Sequence, residues 1–273
     1  IIHLYEEYGT NFIEKLRGMF SFALFDIREQ RLILVRDRVG IKPLYYYDDS
    51  TKFVFASEIK ALLLYPGVNK SIDIESLTEY FSLGYISGDK SIYNNIRKLP
   101  PAHYLIYSNN RVKIQRYWSL PSEEKLNDEY LAKEKLQALL VESVKMRMIS
   151  DVPIGVLLSG GVDSSLVASI MASQSDRKIK TFSISFNEKK YNEIEYARQV
   201  AKYINSEHYE YNVDLNNSEI LEDLVCYYDE PFADSSAIPT YFVSKMAKEE
   251  VTVVLSGDGG DELFGGYDRY YGN

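Results

Sequence analysis

Apolar residues in the first 118 positions fall into short runs broken by polar turns, a pattern that predicts strands. Phe20-Ser21-Phe22-Ala23-Leu24-Phe25-Asp26 is one such run, and Leu32-Ile33-Leu34-Val35 follows it across a charged turn at Arg28, Glu29 and Gln30. Pro43-Leu44-Tyr45-Tyr46-Tyr47 and Phe53-Val54-Phe55-Ala56 flank Asp48-Asp49-Ser50, which reads as a hairpin turn. Tyr104-Leu105-Ile106-Tyr107 and Val112-Lys113-Ile114 flank Ser108-Asn109-Asn110 in the same way. Helical spacing predicts short helices over Glu58–Tyr65 and Ile74–Phe81, with Asp73 as N-cap of the second. Strands joined by tight turns imply an antiparallel sheet of α+β type.

The pattern changes after Trp118. Pro121-Ser122-Glu123-Glu124-Lys125-Leu126-Asn127 is polar and turn-prone, the best linker candidate in the chain. A long amphipathic helix follows, carrying Leu131, Leu136, Leu139, Leu140 and Val144. Strands (Val156–Leu158, Thr181–Phe186, Tyr209–Val213, Val251–Leu255) then alternate with helices (Ser165–Ser173, Glu193–Ile204, Ile220–Tyr227, Ile238–Ala247). That order predicts a parallel sheet with crossover helices, whose ligands bind beyond the carboxyl ends of the strands.

Composition narrows the function classes. The 273 residues suggest two domains at roughly 100–200 residues each. A formal charge of −9 argues against a broad nucleic-acid surface, which needs clustered Lys and Arg. No apolar run approaches the roughly 18 residues that cross a bilayer, and one Cys supports neither an internal disulfide nor a Cys-based zinc site. The expectation is a cytoplasmic protein acting on small molecules, with no nucleic-acid or membrane partner. The oligomeric state stays open, a homodimer being one option. His3, His103 and His208 have no partner at metal-ligand spacing, and Cys226, on an apolar helix, is expected to be a buried thiol.

Two loops carry the chemistry. Ser159-Gly160-Gly161-Val162-Asp163-Ser164-Ser165 lies between a predicted strand and helix, where glycines bring N–H groups close to an anion and the helix offers its positive end. It lacks the Gly-Lys-[Ser/Thr] of a Walker A loop. A glycine turn with a serine cap is the plainer alternative. Ser256-Gly257-Asp258-Gly259-Gly260-Asp261-Glu262-Leu263-Phe264-Gly265-Gly266 packs three carboxylates among five glycines after another strand. It suits a ligand loop better than a core, against the alternative of an acidic surface loop. Asp163 and Asp261 are candidate ligands for a nucleotide-bound Mg²⁺. In a third stretch, Asp229-Glu230-Pro231-Phe232-Ala233-Asp234-Ser235-Ser236, Pro231 would stop one helix and Ser235 or Ser236 would cap the next. Equally, Glu230 and Asp234 could line the crevice.

Together these motifs resemble the glutamine-hydrolysing asparagine synthetases of bacterial type, within the N-type ATP pyrophosphatases. The resemblance rests on Val156–Ser165, Phe182-Ser183-Ile184, Ser256–Glu262 and the Asp-Glu-Pro-Phe-Ala-Asp-Ser-Ser stretch. In the first half it rests on Gly18-Met19-Phe20-Ser21-Phe22-Ala23, Arg36–Tyr45 and Ala56–Leu62. It implies an α+β antiparallel-sheet N-terminal part, glutaminase-like and incomplete, over residues 1–120. An α/β parallel-sheet ATP-pyrophosphatase domain, also incomplete, would occupy 126–273. ATP would activate the aspartate side chain as β-aspartyl-AMP, and glutamine-derived ammonia would displace AMP. By resemblance, Leu157, Ser159, Gly160, Gly161, Asp163, Ser164, Ser165, Ile184, Ser256 and Gly257 bind ATP or pyrophosphate, Asp163 and Asp261 hold Mg²⁺, and Asp258 is the catalytic carboxylate. The family's glutaminase uses an N-terminal Cys, whereas this sequence opens at Ile1. The expectation is a segment of a longer enzyme, without glutaminase activity by itself. A relative acting on a different carboxylate, of cell-surface-sugar or β-lactam type, is the alternative.

Overall fold

The computed structural model describes residues 1–121, 126–186, 193–213 and 220–270. Ser122 to Lys125 of the expected linker fall outside these residues. Two compact units divide the chain, one of Ile1–Glu124 with Val225–Asp234, the other of Lys125–Leu224 with Ser235–Asn273. Among the described residues no helix is long and apolar enough to cross a membrane.

The first unit opens with helix α1 (Ile2–Tyr8) and a 3-10 segment, Gly9–Lys15, neither of which the sequence pattern predicted. Strands β1 (Ser21–Asp26), β2 (Arg31–Arg36), β6 (His103–Ser108) and β7 (Arg111–Arg116) form one antiparallel sheet in the order β1-β2-β6-β7. A second antiparallel sheet, β4-β3-β5, contains β3 (Tyr45–Asp48), β4 (Phe53–Ala56) and a short β5 (Ile96–Lys98), which the sequence did not reveal. Alternation along β2 explains the stacking. Ile33 and Val35 pack with Phe12 and Ile13 on one face, whereas Leu34 packs on the other with Leu105 of its own sheet and Tyr46 of the second sheet. Beyond the second sheet, Tyr47 and Ile96 meet Ile59 and Leu62 of helix α2 (Ile59–Leu64). The unit is thus two sheets between helical layers. The expected hairpins and helix α3 (Ile74–Leu83), capped by Asp73 through the Glu75 N–H, are all present.

The Arg36–Lys42 stretch proves structural. Buried Asp37 accepts N–H groups from Val39 and Ile41 on Oδ1 and from Phe20 and Lys42 on Oδ2. The Arg36 guanidinium binds the carbonyls of Leu99, Gly40 and Lys42.

In the second unit, helix α4 (Glu129–Arg147) precedes a four-stranded, wholly parallel sheet. Its strands are β8 (Ile154–Leu157), β9 (Lys180–Phe186), β10 (Glu207–Val213) and β11 (Val253–Leu255), in the order β10-β9-β8-β11. The chain builds outward from β8 to β10, then crosses back to lay β11 on the other side of β8. Helices α5 (Val162–Ser173), α6 (Ile194–Tyr203) and α8 (Ala237–Glu250) belong to this unit, and α7 (Ile220–Tyr228) lies where the two units divide. Val156, Leu158, Ala168, Met171 and Ala197 form the main core, and Phe182 centres a second cluster with Val243 and Ala247.

Candidate functional site

The reversal of strand order at β8 makes the gap between β8 and β11 the switch point of the sheet, where open parallel sheets bind ligands. Because β8 and β11 are adjacent and parallel, the loops that leave their carboxyl ends emerge side by side. Those loops are the two chosen from sequence.

The first is shaped by a serine clip. Ser159 Oγ lies 2.9 Å from Ser164 Oγ, the Ser159 N–H donates to Ser164 Oγ (3.2 Å), and the Gly161 N–H donates to Ser159 Oγ (3.2 Å). The buried Ser183 hydroxyl donates to the Leu158 carbonyl, pinning the loop's root to β9. Ser183 gave no functional signal of its own in the sequence, although it sits in a quoted motif. Gly160 has φ +92°, and a Cβ there would come within 2.8 Å of the Ala197 backbone nitrogen of α6, so only glycine fits. Helix α5 begins at Val162, three residues before the predicted Ser165, because Gly161 already serves as its N-cap. Asp163, Ser164 and Ser165 therefore stand in a first helical turn whose N-cap offers no side-chain acceptor.

The second loop lies against the first. A Cβ on Gly257 would fall 2.7 Å from the Ser164 backbone nitrogen, and one on Gly260 would fall 2.4 Å from the Asp163 carboxylate. Ser256 Oγ donates to Asp258 Oδ2 (2.8 Å), which fixes that exposed carboxylate. Gly259, at φ +93°, turns the chain into the five-residue helix α9 (Gly260–Phe264) that carries Asp261. Among the described residues no group of three or more His, Cys, Asp or Glu forms a metal cage. Asp163 and Asp261 offer carboxylates, the donor type that a nucleotide-borne Mg²⁺ takes alongside phosphate and water ligands. The fit to an anion is supported by Ser165, whose buried hydroxyl has no hydrogen-bond partner in the protein.

Not every expected residue is equally placed. Leu157 and Ile184 pack partly against the Phe182–Val243 cluster, so both have a structural role. Asp229 and Glu230 belong to the other unit, where they pair with Lys60 and Lys98. Both Glu230 oxygens have partners there, the Lys98 ammonium and the Ile92 backbone N–H. Helix α7 ends at Tyr228, with Asp229 at positive φ just after it and ahead of Pro231, and Ser236 occupies the N-cap position of α8 without a side-chain cap bond. Cys226 is exposed, contrary to the expected buried thiol.

The carboxy-terminal region, residues 135–273, matches the family model described as asparagine synthase, and residues 1–118 match that of a glutamine amidotransferase domain. A Methanocaldococcus jannaschii protein, named provisionally as a glutamine-hydrolysing asparagine synthetase 2, is 43% identical over 98% of this chain and 53% of its own length. Glutamine-hydrolysing asparagine synthetase 1 of Bacillus subtilis is 34% identical over 99% of this chain and 43% of its own. The chain thus spans about half the length of these relatives. A family model that covers half of the chain places this chain in the asparagine synthase family.

Proposed function

We propose that the full-length protein makes asparagine from aspartate, ATP and glutamine-derived ammonia through a β-aspartyl-AMP intermediate. The observation that carries this reading is the abutment of the two loops at the β8–β11 switch point, within a chain of this family. Residues 1–120 would be the C-terminal portion of a class II glutamine amidotransferase domain, and 126–273 the N-terminal portion of the ATP-pyrophosphatase domain. A cytoplasmic setting suits these substrates.

The family resemblance and the adjacency of the two loops support the following roles. Ser159, Gly160, Gly161, Ser164 and Ser165 would hold the departing pyrophosphate against the start of α5 with N–H and hydroxyl donors. Leu157, Ile184, Ser256 and Gly257 would border the nucleotide at the ends of β8, β9 and β11. Asp163 and Asp261 would hold Mg²⁺, which when bound supplies positive charge against the phosphates. Asp258, oriented by Ser256, would accept a proton from the attacking ammonia.

ATP–pyrophosphate exchange in the full-length enzyme tests this, run with a panel of carboxylic acids. Aspartate should support exchange, and Asp261→Asn should lower it by roughly a hundredfold or more. Exchange that ignores aspartate and responds to another acid rejects aspartate as substrate. Unchanged exchange in Asp261→Asn removes that residue from the metal site.

A further inference from the structure

The Asp-Glu-Pro stretch belongs by its contacts to the amino-terminal unit, where its carboxylates are among the most committed. Asp229 follows α7 with φ +63°, a conformation that Asp and Asn tolerate better than most residues. Its side chain is only 8% exposed; Oδ1 lies 3.0 Å from Lys60 Nζ, and Oδ2 accepts the Lys60 backbone N–H at 3.2 Å. That N–H belongs to the first turn of α2, whose own N-cap residue, Glu58, makes no side-chain cap bond. A residue 169 positions further along therefore supplies the cap. Glu230 takes the Lys98 ammonium on Oε1 and the Ile92 N–H on Oε2. The Ala233 N–H then donates to the carbonyl of Gly84, the C-cap of α3 (2.8 Å). Five polar contacts in ten residues dock this segment on three elements of the unit.

The chain runs on from Asp234 through Ser235 and Ser236 into α8 of the nucleotide-binding unit. Glutamine hydrolysis is useful only if its ammonia is consumed unprotonated by the activated carboxylate. On the reading proposed above, we propose that Val225–Asp234 is a coupling strap, docked by Lys60–Asp229 and Lys98–Glu230, that keeps glutamine hydrolysis in step with amide formation. Asp229 and Glu230 are then positioning residues, since they touch no reacting atom.

The test uses the full-length enzyme and Lys60→Met, with Lys60→Arg as the conservative control. Lys60 is half-exposed, so the change spares the core. Two quantities are measured: glutamate formed per asparagine with glutamine as nitrogen source, and asparagine synthesis from ammonium salts. In Lys60→Met the ratio should rise about twofold or more while ammonia-dependent synthesis stays within about twofold, and hydrogen exchange at the Ala233 amide should accelerate roughly tenfold. Lys60→Arg should keep the unsubstituted ratio. Unchanged exchange overturns the docking, and faster exchange with an unchanged ratio overturns the coupling. Equal losses with both nitrogen sources assign the segment a purely structural role and overturn the proposal. Failure of the unsubstituted enzyme to make asparagine from ammonia overturns the proposed function itself, and the coupling role with it.

Discussion

Gly257 and Gly260 sit three residues apart in one loop, yet the neighbours that exclude a Cβ differ in kind. At Gly257 the obstacle is the backbone nitrogen of Ser164, which cannot move without unwinding the start of α5. At Gly260 it is the Asp163 carboxylate, the free end of a side chain that can swing aside. Gly257→Ala should therefore destabilise the second unit by about 1–3 kcal/mol in denaturant unfolding. Gly260→Ala should leave stability nearly intact but cut ATP–pyrophosphate exchange by roughly tenfold or more, because the displaced group is a proposed metal ligand. Similar stability losses in both variants would show that the two contacts are alike. At Asp37 each carboxylate oxygen serves two N–H groups, so the amide of Asn, whichever way it turns, must face two donors with a donor. Asp37→Asn should cost about 2–5 kcal/mol of stability in the first unit, as followed by thermal unfolding. The sequence drew Asp163, Ser164 and Asp261 out as candidates, since glycine and acid clusters have little structural use. It concealed Gly260 as a neighbour of Asp163 and the exposure of Cys226, because both depend on what lies opposite.

Elements were legible where their pattern is local. The hairpins at Asp48-Asp49-Ser50 and Ser108-Asn109-Asn110 formed as expected, the second with both asparagines at positive φ. Strand β5 was not legible, since Ile96–Lys98 is too short to show alternation and depends on Tyr45–Tyr47 for pairing. In α4 the leucine stripe predicted the helix but not its burial: Leu131, Leu136 and Leu139 are 39%, 39% and 58% exposed, and Val144 is buried. Periodicity reports a stripe, not its covering. The edge strand β10 has a pH dependence that only three dimensions reveal. His208 Nδ1 is 2.8 Å from Thr181 Oγ1, its Nε2 is buried without a hydrogen-bond partner, and burial lowers its pKa despite Glu210 nearby. The unfolded chain binds this proton more readily than the folded one, so stability is full above the ordinary histidine pKa of about 6.5 and falls as pH drops below it. Melting temperature should fall between pH 7.5 and 5.5, and less so in His208→Gln; equal pH dependence in the two proteins would assign the effect to other groups.

At the scale of the molecule, the change of pattern near Trp118 announced an antiparallel half followed by a parallel one; the first holds two antiparallel sheets where one was expected, and the second holds the expected parallel sheet. The strand order β10-β9-β8-β11 was not legible, because periodicity does not say on which side of β8 the last strand returns. Nor was the borrowing of Val225–Asp234 by the first unit, which rests on side chains far apart in sequence. That borrowing sets a timetable for biosynthesis. Residues 1–124 leave the ribosome as a unit with Asp229's place at the start of α2 still vacant, and the missing ten residues are made about 100 codons later. At roughly 5–20 residues per second that is a wait of roughly 5–20 seconds, during which the Lys60 and Ile92 N–H groups and the Gly84 carbonyl lack their partners from this segment, while the Lys60 and Lys98 ammonium groups keep only Glu58 and the Ile86 carbonyl. The first unit gains its last ten residues only after Lys125–Leu224 of the second have been translated.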